Sequence, residues 1–370
     1  LTMTNQGAST VIGDVRFKLD GDKQKWELRD ASALTPWGRA AASGSIGSQR
    51  PFKLDGAASL VQTEVKAGQK PAQLNLRAGG DLTSTLLTAS GQAGKAVGDA
   101  KLTLAPFEPI PLRAMVINGR NIDPGFFNPA LPTADLSLAV TANIGADRTV
   151  GGTVDIINSG KTGPVDRELL PLREMRGRLG GNLNAMQIDD VLLDLGDAGK
   201  FTGSGAVQRG PLEKGLGAAQ FKLHTGRLDL KAIHSRMKTT AIAGDIQLAN
   251  VGQVQAISVQ LAERGMRLDA AATLENQLLQ IQHAHLVAGG SRVDVTGNGS
   301  LADKREFKVA ATASHFNPAS FGDYPAADIN AAIDANGALA PEWKVASGFT
   351  LRPSRLFGQP LSGKGRFNAD

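Results

Sequence analysis

His283 and His285 are the residues of this 370-residue chain best spaced for chemistry. Two apart on a segment that alternates like a strand, they would share a face and could in principle hold a metal ion. No Asp, Glu or third His follows them at ligand spacing, and the flanking glutamines Gln280 and Gln282 are poor ligands, so two surface histidines are the better reading. His224, His234 and His315 stand alone along the sequence, and none lies near a serine in a Gly-x-Ser-x-Gly context. Zero cysteines excludes thiol catalysis, disulfides and cysteine-type zinc sites.

Three glycine-rich stretches imitate phosphate or dinucleotide loops. Gly358-Gln359-Pro360-Leu361-Ser362-Gly363-Lys364-Gly365 ends in Gly where a hydroxyl residue would meet Mg²⁺, and Gly160-Lys161-Thr162 has Asp155 in place of the leading glycine. Gly297-Asn298-Gly299-Ser300-Leu301-Ala302 lacks a βαβ setting. All three read as hairpin turns. Asp189 and Asp190 are adjacent, so on a strand their carboxylates point to opposite faces and cannot act as a glycosidase pair. The chain is read as non-enzymatic, with no cofactor and no metal.

The elements that would carry these residues are strands. Apolar residues make up 41% of the chain while aromatics are only 5% and glycine reaches 44 copies, so small side chains dominate the apolar count. That composition suits many short strands and tight turns. The net charge of +5 comes from interspersed Lys, Arg, Asp and Glu; with one Tyr and three Trp, no basic stripe with stacking aromatics exists for nucleic acid. No stretch approaches the roughly 18 uninterrupted apolar residues that span a bilayer as a helix. Period-two alternation recurs at Val15-Arg16-Phe17-Lys18-Leu19, Leu136-Ser137-Leu138-Ala139-Val140, Val191-Leu192-Leu193-Asp194-Leu195, Ile257-Ser258-Val259-Gln260-Leu261 and Val293-Asp294-Val295. Gly79-Gly80-Asp81, Gly196-Asp197-Ala198-Gly199 and Gly289-Gly290-Ser291 read as the turns between them. Short helices are expected only within Asp229–Met237 and Asp166–Arg176, and residues 1–12 show no pattern and read as frayed.

Three segments repeat one layout. Gly119-Arg120-Asn121-Ile122-Asp123-Pro124 leads to Phe127, then Ala134-Asp135-Leu136, then Ala142-Asn143-Ile144-Gly145. Gly226-Arg227-Leu228-Asp229-Leu230 leads to Ile233, Gly244-Asp245-Ile246 and Ala249-Asn250-Val251-Gly252. Ser314-His315-Phe316-Asn317-Pro318 leads to Phe321, Ala327-Asp328-Ile329 and Ala335-Asn336-Gly337. The unit is a run of strands with an irregular or helical corner at the Asp-Pro element. It divides the chain into an N-terminal β-repeat region over 1–113, repeats over 114–219 and 220–306, and a truncated repeat over 307–370, as one continuous array.

The stretch Phe316-Asn317-Pro318 through Pro325-Ala326-Ala327-Asp328-Ile329, Ala335-Asn336-Gly337 and Pro360-Leu361-Ser362-Gly363-Lys364-Gly365 resembles the recurrent unit of the TamB branch of the AsmA-like bacterial envelope proteins. Pro106-Phe107 through Asp123-Pro124 fits the same pattern. Two departures are visible: Leu170-Pro171-Leu172-Arg173-Glu174 stands where the first copy should carry Pro-Leu-Ser-Gly, and the second copy lacks both prolines of the anchor. The resemblance implies an internal segment of a periplasmic protein of a Gram-negative bacterium, with its inner-membrane anchor outside this segment. It implies an elongated, curved antiparallel β-sheet, taco- or groove-like, with an apolar concave face that conducts phospholipid between inner and outer membrane. It also implies an Omp85-type outer-membrane barrel partner, TamA-like, met through a region not present here.

Alternating strands bury one face, and something apolar must cover it. A second sheet would do so in a sandwich; in a curled single sheet the gap can hold acyl chains. Alternation leaves both open, and the shortage of aromatics to fill a thick core favours the groove. The groove-lining candidates are Leu136, Leu138, Val140, Val191, Leu193, Leu195, Ile246, Leu248, Ile257, Val259, Leu261, Val293 and Val295. The alternative function is a chaperone-like scaffold that offers sheet edges to nascent outer-membrane strands by β-augmentation.

Overall fold

The computed structural model describes residues 2–5, 8–64, 70–210, 216–302 and 304–369. The chain adopts the antiparallel, repeat-built all-β class with a few short helical corners. It forms two compact units, Leu1–Lys161 with Arg178–Asn182, and Thr162–Gly177 with Leu183–Asp370.

In the first unit, β1 (Thr2–Asn5) and β2 (Ala8–Val11) form a small hairpin where no pattern was legible in the sequence. There follow β3 (Gly13–Gly21), β4 (Lys25–Thr35), β5 (Gly38–Gly47), β6 (Lys53–Val61), β7 (Gln73–Asp81), β8 (Ser84–Ala93), β9 (Ala96–Leu104), β10 (Leu112–Ile122), β11 (Leu136–Ile144) and β12 (Val150–Asn158). From β3 to β12 each strand pairs antiparallel with the next.

The strand β13 (Glu174–Gly181) divides between the units. The second unit continues with β14 (Ala185–Asp194), β15 (Lys200–Arg209), β16 (Leu216–Leu228), β17 (Ile242–Val251), β18 (Val254–Glu263), β19 (Met266–Glu275), β20 (Leu278–Ala288), β21 (Ser291–Ser300), β22 (Glu306–Phe316), β23 (Ala327–Ala338), β24 (Lys344–Leu356) and β25 (Gln359–Ala369). It too is a sequential antiparallel meander from β14 to β25. Two-residue turns with positive φ at both positions, Asn276-Gln277 and Phe357-Gly358, are the kind whose twist matches that of paired strands.

The corners are the repeat. They follow β10, β16 and β22, six strands apart, as α1 (Pro124–Phe127), α2 (Leu230–Ile233) and a 3₁₀ turn over Pro318–Ser320. Each opens on an Asx residue whose Oδ1 accepts two backbone N–H groups. Asp123 accepts from Gly125 at 3.1 Å and Ala134 at 3.2 Å. Asp229 accepts from Lys231 at 3.0 Å and Thr240 at 3.1 Å. Asn317 accepts from Ala319 at 3.2 Å and Ala327 at 3.1 Å. The first bond caps the helical turn and the second pins the start of the returning strand. Each preceding strand also breaks register in its last turn, between Gly119 and Ile122, Thr225 and Leu228, and Ala313 and Phe316.

These bonds correct the repeat alignment. Leu136, Ile242 and Ile329 stand opposite Ile122, Leu228 and Phe316, the last partners before each corner. The second copy therefore enters its strand at Ile242, four residues before the Ile246 of the Gly244-Asp245-Ile246 matched by sequence. The helices are also shorter than expected, α2 ending at Ile233 and a 3₁₀ turn covering only Val165–Arg167. Three glycine-rich stretches read as turns lie largely within strands instead: Gly79-Gly80-Asp81 in β7, Gly297-Asn298-Gly299 in β21, and the run 358–365, of which Gln359 onward belongs to β25.

Candidate functional site

Register decides which side chains share a face, because directly opposed residues point the same way. In the second unit one cross-strand row runs Val191, Gly203, Leu223, Ile246, Val259, Ala270, Ala284, Val295, Ala311, Ile333, Phe349 and Gly365. Twelve strands contribute and none supplies a polar residue. The adjacent row on the other face runs Leu192, Thr202, His224, Asp245, Gln260, Asp269, His285, Asp294, Thr312, Ala332, Thr350 and Lys364. The sheet of this unit thus has one apolar and one polar face.

The sequence candidates of this unit fall on that apolar face: Val191, Leu193, Ile246, Leu248, Ile257, Val259, Leu261, Val293 and Val295 all share it. Leu195 lies past the end of β14, at the mouth of the 3₁₀ turn Gly196–Ala198, and packs on a buried cluster instead of standing in a ladder. In the first unit Leu136, Leu138 and Val140 share a face with Ile117, Val154 and Ile156. That unit has its own row of Leu19, Leu28, Gly44, Gly56, Ala78, Leu87, Leu102, Met115, Ala142 and Gly152.

Cover is uneven along the strands of the second unit. At the corner margin Phe201 (6% exposed), Leu228 (6%) and Ile242 (4%) form a buried cluster, joined by Leu193, Leu223, Ile246, Leu261, Met266 and by Leu230 and Ile233 of α2. Away from it the same face is open, with Ile257 40%, Ile333 43% and Phe367 54% exposed. A second sheet laid on this face would have buried them. Glycines on the apolar faces lie under aromatic rings of the facing strand, Gly21 under Trp26, Gly205 under Phe221 and Gly365 under Phe349, so large side chains fit without a second layer.

The histidines form an unexpected pattern. All five pair with an aspartate: His224 with Asp245 at 2.9 Å, His283 with Asp269 at 2.8 Å, His285 with Asp294, His315 with Asp328 at 3.1 Å, and His234 with Asp166 at 3.9 Å. Those partners lie on neighbouring strands or connections, which is why spacing along the sequence did not find them. Each histidine has an anionic hydrogen-bond or ion-pair partner, and no group of three His, Asp or Glu side chains among the described residues has a metal-holding arrangement.

Among the described residues one carboxylate is buried. Asp194 is 3% exposed at the end of β14, bonded by Lys200 Nζ at 2.9 Å and by the Gly196 amide at 2.9 Å. Burial pushes its pKa up, but the Lys200 hydrogen bond, the Gly196 amide and the charges of Lys200 and Arg173 outweigh this and hold it below the ordinary value. On the first unit a shallow, open depression lies over Asp99, Asn118 and Asp155, with Asn118 donating to Asp99 at 3.0 Å.

No protein-family model matches this chain, and neither the curated proteins nor the solved structures yield a match. The faces themselves therefore carry the functional argument.

Proposed function

We propose that this chain is a segment of a lipid-conducting β-groove of a TamB-like periplasmic protein, which carries phospholipid acyl chains on its apolar face. The observation that carries the reading is the uninterrupted apolar row from Val191 to Gly365, half-buried along most of its strands, exposed at Ile333 and Phe349, and backed by a polar face. Each CH₂ kept from water is worth about 0.8 kcal/mol, so a chain of about sixteen carbons costs on the order of 12 kcal/mol to expose. A continuous apolar surface removes most of that barrier. Small residues such as Ala270, Ala284 and Ala311 leave relief between Ile and Val that a flexible acyl chain fills. The pattern resemblance to the TamB branch adds the compartment, the inner-membrane anchor and an Omp85-type partner to the proposal.

Photo-crosslinking tests it by parity. A benzophenone amino acid at Ile257, Val259 or Val295 should capture phospholipid in the bacterial envelope, while the same probe at Ser258, Gln260 or Asp294 should not. Equal labelling of both parities would sink the groove. Capture of outer-membrane-protein strands at the sheet edges, with no lipid on either face, would favour the β-augmentation scaffold.

A further inference from the structure

The connections at the corner margin of the second unit are bonded to one another across intervening strands. The Asp166 carboxylate accepts hydrogen bonds from the Ser235 hydroxyl and, at 2.9 Å, from its amide. Met237 and Gly322 form a β-bridge, with the Lys238 amide donating to Phe321 O at 2.9 Å and the Asp323 amide to Arg236 O at 2.8 Å. The Arg236 guanidinium stacks over the Tyr324 ring at 5.0 Å.

The bridge joins the corner after β16 to the corner after β22. In a flat sheet strands six apart stand about 29 Å from each other. Little chain is free to span that. Thr240 is fixed at the end of β16, its hydroxyl donating to Leu228 O at 2.8 Å and accepting from the Leu230 amide at 2.9 Å. Phe321 is held at the end of β22, its ring 5.7 Å from that of Phe316. Lys238, which bonds Phe321, is only two residues from Thr240, a reach of about 7 Å. A flat sheet would not let so short a link close, so the link requires the intervening strands to bow, and α2, whose Leu230 and Ile233 pack on the Phe201 cluster, places the connections on the apolar side.

We infer that this chain of connections is a clasp that sets the curvature of the second unit, and with it the width of its apolar face. The inference stands apart from any occupant of that face. Gly322 is the weak link, because a Cβ there would run into the Arg236 carbonyl oxygen and the Tyr324 ring, while the residue itself has no positive φ to strain. Gly322→Val therefore breaks the clasp and leaves every sheet ladder intact.

The chain has no cysteine, so spin labels at Asp197 and Phe357, both in turns of the corner margin, are introduced as D197C and F357C. Electron–electron resonance should give a single short separation in the parent, and a longer, broader one with G322V. A folded G322V protein with an unchanged distribution would overturn the clasp. Amide exchange on the unaltered protein provides the second reading: the Lys238 and Asp323 amides should be protected, and exchange at free-loop rates would overturn the clasp even if G322V does not fold.

Discussion

Ile246 and Val259 stand directly opposite each other across the β17–β18 ladder, and their sequence neighbours Asp245 and Gln260 stand opposite each other on the other face. That relation is repeated strand after strand, so the chemical difference between the two faces is held by backbone register alone. Anything that slips the register by one residue exchanges the faces. The corners and bulges pin it.

Asp229 should be replaceable by Asn but not by Ala. Asn317 makes the same two bonds in the third corner with an amide oxygen, so D229N should stay within about 0.5 kcal/mol of the parent. D229A loses the bonds to Lys231 and Thr240 and should cost about 1–2 kcal/mol in a urea melt. Equal effects from the two substitutions would contradict the double-acceptor role.

Gly203 and Gly226 should behave oppositely. A Cβ on Gly203 would collide with the Lys222 carbonyl across the β15–β16 ladder, whereas one on Gly226 meets open space. G203A should therefore destabilise by about 1–3 kcal/mol. G226A should change stability by less than about 0.5 kcal/mol. Thermal melts of both variants check this.

Asp194 should give the protein an acid-sensitive term. Its folded pKa lies below the ordinary value of 3.8, so its stabilisation is present above that value and lost as pH falls through the folded one. D194N should cost about 1–2 kcal/mol at pH 7. The cost should begin to shrink as pH drops below about 4, where the unfolded chain takes up its proton, and disappear once the folded Asp194, whose pKa lies lower, is protonated as well. A penalty that stays constant from pH 7 to pH 2.5 would show that the charge of Asp194 is not what matters.

The strand period and the facing of most candidate residues were legible because alternation writes each face into consecutive residues. Val191, Val259 and Val295 land on one surface once strands are paired in register. The histidine pairs were not legible, since Asp269 and His283 meet across a ladder and lie fourteen positions apart in sequence. The Gly297-Asn298-Gly299 cluster misled for a related reason. Glycine signals a turn locally, yet Gly297 sits mid-strand where a Cβ would press on the Lys308 carbonyl. Leu195 stands outside the ladder because the strand ends one residue earlier than its alternation does, at the buried Asp194.

The most direct test of the proposed groove is native mass spectrometry, with lipid extraction, on the protein isolated gently from a bacterial envelope. Phospholipid should co-purify with the parent and with a Gln260→Asp variant, and should be lost when Val259 and Val295 are made aspartate in a protein that keeps its β-sheet circular dichroism. A folded parent without bound lipid, or lipid retained equally by the apolar-face and polar-face variants, would contradict the account.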